Sequence, residues 1–331
     1  MKVMEYVFPP VHSRSDTFTL YPLGDVHIGA FNCAEKQFRS VVNMIEEDPN
    51  ARWFGGGDLV DAVILQDQKR FDPNVLPNWL LADHKDRIVA LIAESDLEPE
   101  DAADEIIKLM SRSTREKLAD MVSAQRKRLL KIVDPIKDKC IGLMEGNHEY
   151  TIMKYHNRDL MTEMCAALAV PHLTDCCFVR FKFTRVKGKP KGRKRSLADS
   201  ACIRMFALHG NGGGRTPGAE PNNLARLAGD KVCELVLRGH SHTQFIMPPI
   251  ARLTIPTGGA LDEEAESTIL RAANWGCYLR TYAAGPSTYD SRAQYPVRPL
   301  STIKIRLTPF RDIGGRTRPK IKIEELEMTA R

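Results

Sequence analysis

Thr17-Phe18-Thr19-Leu20-Tyr21-Pro22-Leu23-Gly24-Asp25 and, one helical stretch later, Arg52-Trp53-Phe54-Gly55-Gly56-Gly57-Asp58 decide the fold of this chain. Each is an apolar run that stops at glycine and a carboxylate. Between them, Phe38, Val41, Val42 and Ile45 recur at helical spacing within Ala34–Glu47. Strand, amphipathic helix, strand is the alternation of an α/β sheet. Further strands are expected at Cys140–Met144, Cys176–Val186, Ala201–Leu208 and Cys233–Leu237, with closing strands at Gly276–Tyr282, Thr302–Leu307 and Lys320–Leu326.

Five of these strands end in a block of metal-binding residue types: Asp25-Val26-His27, Gly57-Asp58, Gly146-Asn147-His148-Glu149, His209-Gly210 and Gly239-His240-Ser241-His242. Ligands of α/β sheets sit beyond the carboxyl ends of strands, so the five blocks are expected to converge along one sheet edge. Carboxylate, amide oxygen and imidazole without thiolate suit Mn²⁺, Fe or Zn²⁺. Two such ions about 3.5–4 Å apart clamp the attacking and leaving oxygens of an in-line displacement, and water held by them loses a proton near neutral pH. Any one block alone is a common turn; five in this order at strand ends point to a two-metal hydrolase.

Composition narrows the class. With 331 residues, 43% of them hydrophobic, the chain can bury a sizeable core. No apolar run approaches the roughly 20 residues of a membrane span, and Met1–Val11 lacks a signal-peptide core. A cytoplasmic protein without membrane contact is expected. The eight cysteines form no Cys-x-x-Cys pair and read as small buried thiols. Net charge is +6, but nine basic residues and no acid fall between Arg180 and Arg195, so the remainder is net acidic.

The residues 62–138 break the alternation. Helices are expected at His84–Ser95 and Ala102–Val133, forming an insertion that is either a packed helix with a solvated face or an arm shaping a cleft. Asn157–Ala169 reads as another helix.

The five blocks, extended to Gly57-Asp58-Leu59-Val60-Asp61 in the second, resemble those of the calcineurin-like metallophosphoesterases. The resemblance spans about residues 17–285, with the blocks alone diagnostic. It implies a four-layer α/β sandwich of two mixed β-sheets flanked by helices, occupying residues 1–285, with residues 286–331 as an extension carrying closing strands. It also implies that Asp25, His27 and His242 hold one divalent ion, that Asn147, His209 and His240 hold the other, and that Asp58 bridges them. His148 would protonate the leaving oxygen. Asp61 and Glu149 would orient neighbours, or in the case of Glu149 start a helix.

Departures from the pattern bear on substrate. Ser/Thr protein phosphatases carry Arg-Gly after the second block and Arg before the third, where this chain has Ala62-Val63 and Glu145. Purple acid phosphatases place a tyrosine near the second block, which is missing. Asp25-Val26-His27-Ile28-Gly29 and Gly57-Asp58-Leu59-Val60-Asp61 are more similar to SbcD-type nucleases and the exonuclease subunit of D-family DNA polymerase. Lys187, Lys189, Lys191, Arg193, Lys194 and Arg195 could grip DNA or RNA phosphates; equally, they could be a solvated hairpin tip. Arg215, in the loop Gly210–Arg215, could reach a substrate phosphate or belong to a mobile turn. A nuclease or phosphodiesterase is therefore expected, with a small-molecule phosphatase and a non-catalytic scaffold as the alternatives.

Overall fold

Strands buried on both faces and helices with one apolar stripe stack into layers, and the computed structural model shows how these stack. It describes residues 1–64, 67, 71–72, 76–81, 84–94, 107–186, 198–212, 216, 218–254, 266–284, 287–292, 294–313 and 316–327. In chain order these form β1 (Lys2–Val7), β2 (Phe18–Leu23), α1 (Glu35–Glu47), β3 (Ala51–Gly55), α2 (Asn78–Leu81), α3 (Lys85–Glu94), α4 (Arg112–Val133), β4 (Cys140–Leu143), α5 (Asn147–His156) and α6 (Leu160–Leu168). The second half adds β5 (Cys176–Val186), β6 (Ala198–Leu208), α7 (Ala219–Gly229), β7 (Leu235–Arg238), β8 (Gln244–Ile246), β9 (Ile250–Thr254), β10 (Glu266–Trp275), α8 (Tyr289–Arg292), β11 (Ser301–Ile313) and β12 (Arg316–Glu327).

Two mixed sheets result. One has the order β12-β11-β2-β3-β4, with β2, β3 and β4 parallel and β11 antiparallel to β2. The other has the order β1-β5-β6-β7-β10-β8, with β9 also on β10. In it, β6, β7 and β10 are parallel, while β5 and β6 form an antiparallel hairpin.

Successive strand side chains point to opposite faces, and the cores follow that rule. Leu20 of β2 and Phe54 of β3 face inward to Phe181, Met205, Leu235 and Leu237 of the other sheet. Their neighbours Tyr21 and Trp53 face outward and are covered by Phe38, Val41 and Ile45 of α1 with Leu129 and Val133 of α4. On the far side, Leu224 and Ala228 of α7 cover Phe206 and Val236. The expected sandwich of two mixed sheets flanked by helices is thus present. Losing a core ring such as Phe38, fully buried, would cost about 3–5 kcal/mol.

Several expected boundaries move. The helix expected over Ala102–Val133 is interrupted: residues 107–109 are helical and α4 starts afresh at Arg112, while 102–106 lie outside the described residues. Ser111 caps α4 by accepting from the Thr114 N–H. Leu76, Leu80, Leu81, Ile88, Met110 and Met121 give α2–α4 a small core of their own. The strand expected at Gly276–Tyr282 lies upstream, at β10, because Gly276 turns away at φ +88°. Residues after that turn wrap the first ligand loop instead: the Tyr278 N–H donates to the Asp25 carbonyl at 2.9 Å, and the Ala34 N–H donates to the Tyr278 carbonyl at 2.7 Å. Helix α5 bears out the helix-start reading of Glu149, although its extent was not read because Tyr150, Met153 and Tyr155 are exposed and blur its periodicity. Of the cysteines, Cys202 is exposed and Cys33 and Cys176 are half-buried, the other five being buried thiols as expected. No helix among the described residues is long and apolar enough to cross a membrane.

Candidate metal centre

All five blocks do follow strand ends, but the ends belong to two sheets rather than one. β2, β3 and β4 of the five-stranded sheet present Asp25-Val26-His27, Asp58 and Asn147-His148, while β6 and β7 of the other present His209 and His240–His242. The site therefore lies where both sheets of the sandwich end together.

Sharp turns aim these side chains inward. Asp25, His27, Asp58, His240 and His242 all adopt left-handed backbone, at φ of 51°, 52°, 50°, 65° and 55°. Non-glycine residues rarely do so, and such strain concentrates at functional sites.

Close approach needs glycines as well. A Cβ on Gly239 would sit 2.0 Å from the Trp275 ring, and Cβ atoms on Gly24 and Gly56 would fall 2.6 and 2.7 Å from it. A buried indole thus fills the hollow beneath three ligand turns. Its Nε1–H donates to Asp25 Oδ2 at 2.7 Å, and the His240 backbone N–H donates to the same oxygen at 3.1 Å. That leaves Asp25 Oδ1, 3.4 Å from His242 Nε2, to face the site.

The expected ligands divide into two clusters that share Asp58. Asp25, His27, Asp58 and His242 form one, and Asp58, His209 and His240 the other, with ligand atoms within 4.8 Å of one another in each. Asp58 Oδ2 lies 3.3 Å from His209 Nε2 and 3.8 Å from His27 Nε2, while Oδ1 accepts the His148 N–H at 2.9 Å. Asn147 Oδ1 is 3.4 Å from His209 Nε2. His27 Nε2 and His242 Nε2 face each other at 3.2 Å. Asp61 joins this group, its Oδ1 being 3.5 Å from His27 Nδ1 and 3.8 Å from His148 Nδ1.

Imidazole nitrogens, carboxylates and an amide oxygen converge here with few donors among them. Asp25 Oδ1 and His240 Nδ1 are buried with no hydrogen-bond partner among the described residues. Buried acceptors of this kind want a cation, and the mixed N/O donor set fits divalent metals. Burial opposes ionisation of Asp58, yet His209, His148 and His27 hold it well below the usual carboxylate range. Burial likewise opposes charge on His209, but the Asp58 carboxylate overrides it and pushes the ring up to about 10.

Three supports hold these turns, and the sequence reading had a role for the first alone, Glu149 as an orienting or helix-starting residue. Glu149, at the third position of α5, accepts from the N–H groups of Leu59, Val60, Asp58 and Gly146 at 2.7, 3.2, 3.0 and 3.1 Å. It straps the second ligand loop to the third; its glutamate after Gly146 was the available signal, a capping box. Burial and the nearby Asp58 carboxylate push Glu149 up to about 7. Trp275 is the second support, with no local pattern to reveal it. The third is the buried pair Arg238–Glu220 at 2.6 Å, in which Arg238 also donates to the carbonyls of Asn211 and Gly212 and steadies the His209 loop.

His148 Nδ1 contacts the Asp61 carbonyl, and its ring stands edge-on to His27 at 4.4 Å between centroids. It lines a cavity of about 320 Å³ together with His27, Asp58, Asn147, His240 and His242. The substrate residues expected at Lys187, Lys189, Lys191, Arg193, Lys194, Arg195 and Arg215 lie outside the described residues. The described part of the basic run is paired: Arg180 and Lys182 with Glu5, at 2.7 and 3.7 Å, and Arg185 with Asp199 at 3.9 Å.

No family model and no curated protein matches the chain. Among solved structures, it is similar to a conserved uncharacterized protein of Streptococcus pneumoniae TIGR4, titled a predicted phosphoesterase. That likeness has 9% identity and a TM-score of 0.30, over 95% of this chain and 91% of that one. Vps29 of Chaetomium thermophilum matches at 10% identity and a TM-score of 0.31, over 94% of this chain and 98% of that one. A Vps29 double mutant from Entamoeba histolytica matches at 12% and 0.20, over 51% and 76%. Likenesses this distant carry no argument about chemistry, which has to come from the residues themselves.

Proposed function

We propose that this chain is a metal-dependent phosphoesterase of the calcineurin-like kind. The observation that carries the reading is the shared Asp58: one buried carboxylate, on left-handed backbone, faces both a His27/His242/Asp25 cluster and a His209/His240 cluster. Asp25, His27 and His242 would hold one divalent ion, and Asn147, His209 and His240 the other, with Asp58 common to both; Mn²⁺ is the expected metal, with Fe or Zn²⁺ compatible. Bound ions would supply Lewis acidity and a nucleophile at neutral pH.

The chain's own groups do the rest. The Asp61 carbonyl fixes the orientation of His148 through Nδ1, and the imidazole lining the cavity protonates the departing ester oxygen. The Glu149 strap and the Trp275 indole keep the ligand turns in register, as supports of metal-binding side chains do.

A small phosphoester fits this geometry better than a strand gripped by the basic run. β5 starts beside the site, where the His209 N–H donates to the Asp175 carbonyl at 2.9 Å. Its eleven residues then carry the chain about 33 Å away, at about 3.3 Å each, before Val186 hands over to residues 187–197. A nuclease role is the second reading, favoured by the charge of that run.

Hydrolysis of bis-p-nitrophenyl phosphate, p-nitrophenyl phosphate and labelled short and long DNA by Mn²⁺-loaded protein separates the readings. Turnover of the chromogenic esters with DNA intact supports the small-substrate reading. Salt-sensitive cleavage of long DNA alone supports the nuclease reading, and no hydrolysis of any ester overturns the proposal.

A further inference from the structure

The cavity that the candidate ligands line has further lining residues. Phe31 lies in the turn after the first ligand block, Leu279 follows β10, and Thr288, Tyr295 and Arg298 come from the connection between β10 and β11. The sequence reading placed a closing strand at the start of this connection, Gly276–Tyr282, and no site residue in it. Arg298 is the one arginine or lysine among the described residues of the cavity, which otherwise carries the acids Asp58 and Asp61. Its guanidinium carbon stands 5.3 Å from the centroid of the Tyr295 ring. Its Nε is buried and has no hydrogen-bond partner among the described residues.

A buried N–H without an acceptor is costly, and the guanidinium fork matches phosphate oxygens. Stacking against an aromatic ring holds such a fork in place, at little further cost in side-chain freedom when it engages an anion. Phe31, Leu76 and Leu279 add apolar surface to the same lining. At about 320 Å³, the cavity is at the small end of the range for whole small-molecule ligands.

Resting on the phosphoesterase reading, we propose that these lining residues form the substrate subsite: Arg298 holds phosphate oxygens, and Phe31, Leu76 and Leu279 take the organic group of the ester. The substrate class is then a small phosphate ester of a planar, largely apolar group, with an aryl or nucleoside-sized substituent.

Calorimetric titration of inorganic phosphate and of phenyl phosphate into Mn²⁺-loaded protein tests this without requiring turnover. Arg298→Gln should weaken both ligands about 10- to 100-fold, the worth of a charge-assisted hydrogen bond, with unchanged metal content. Arg298→Lys should restore part of the affinity. Phe31→Ala should weaken phenyl phosphate alone. Wild-type affinity for both ligands in Arg298→Gln, or equal losses for both in Phe31→Ala, would overturn the subsite. If wild-type protein hydrolyses p-nitrophenyl phosphate and Arg298→Gln does so with the same KM, the subsite fails and the phosphoesterase reading stands. If wild-type protein neither binds phosphate nor hydrolyses any ester, both fail.

Discussion

Replacing Glu149 by Gln asks whether one buried carboxylate ties two ligand loops together. Oε1 accepts from Leu59 and Val60, and Oε2 from Asp58 and Gly146. Glutamine has the same shape but turns one of those oxygens into an NH₂, which confronts two buried N–H groups with a third donor. Each stranded donor costs about 1–3 kcal/mol, so two cost about 2–6 kcal/mol. Removing a negative charge beside Asp58 offsets part of this, because burial and that neighbour already disfavour ionised Glu149. The net expectation is a loss of about 2–4 kcal/mol. At about 2 °C per kcal/mol for a chain of this length, Tm should fall by about 4–8 °C. Urea and thermal unfolding followed by tryptophan fluorescence, in protein stripped of metal with EDTA, would measure it free of any change in metal affinity. A variant within about 0.5 kcal/mol of wild type, the range of an ordinary surface substitution, would refute the strap.

Trp275→Phe removes the indole N–H but keeps most of the apolar filling, leaving Asp25 Oδ2 with the His240 N–H alone. Metal affinity at the Asp25 cluster should fall about 10- to 100-fold by calorimetry, and unchanged affinity would count against a positioning role for the indole. His148→Asn should lower phosphoester turnover about 10²- to 10⁴-fold with metal content intact; an unchanged rate would remove His148 from the chemistry. Lys322, Arg306 and Lys304 hold the Glu324 carboxyl down to about 2. Because this folded-state pKa is depressed, the stability from those pairs is complete above about pH 4.5. It is lost as pH falls from there through about 2. The sites are partly solvated, so Glu324→Gln should cost under about 1 kcal/mol at pH 7. The difference from wild type should shrink as melts approach pH 2 and as salt is raised; a gap independent of pH would contradict the assignment.

What the sequence disclosed was governed by range. Strand β2 is buried along its whole length and β3 carries glycines at its end, so their apolar runs and terminal carboxylates were readable locally. The seven candidate ligands and His148 were readable for the same reason: each follows a strand, and chemistry restricts the residue types. That the five blocks leave two sheets, not one, depends on β6 and β7 pairing far from β2, which no local pattern encodes. Trp275 is equally silent, because its function arises from three glycines contributed by β2, β3 and β7 turns. Arg298 sits in an irregular connection with no periodicity, and only folding brings it to the cavity. The basic run is conspicuous in the sequence, but Lys187 to Arg195 lie outside the described residues. The β5–β6 register shows only that Val186, which precedes them, pairs with Ala198 at the end of the hairpin away from His209.

The shared carboxylate is the centre of the account, and metal stoichiometry tests it directly. Plasma emission analysis and calorimetric Mn²⁺ titration should find two ions per wild-type chain. Asp58→Asn should weaken both positions together, since Asp58 Oδ2 faces His209 and His27 at once. One ion or none in the wild type, or two retained at full affinity in Asp58→Asn, would contradict the two-metal reading of this site.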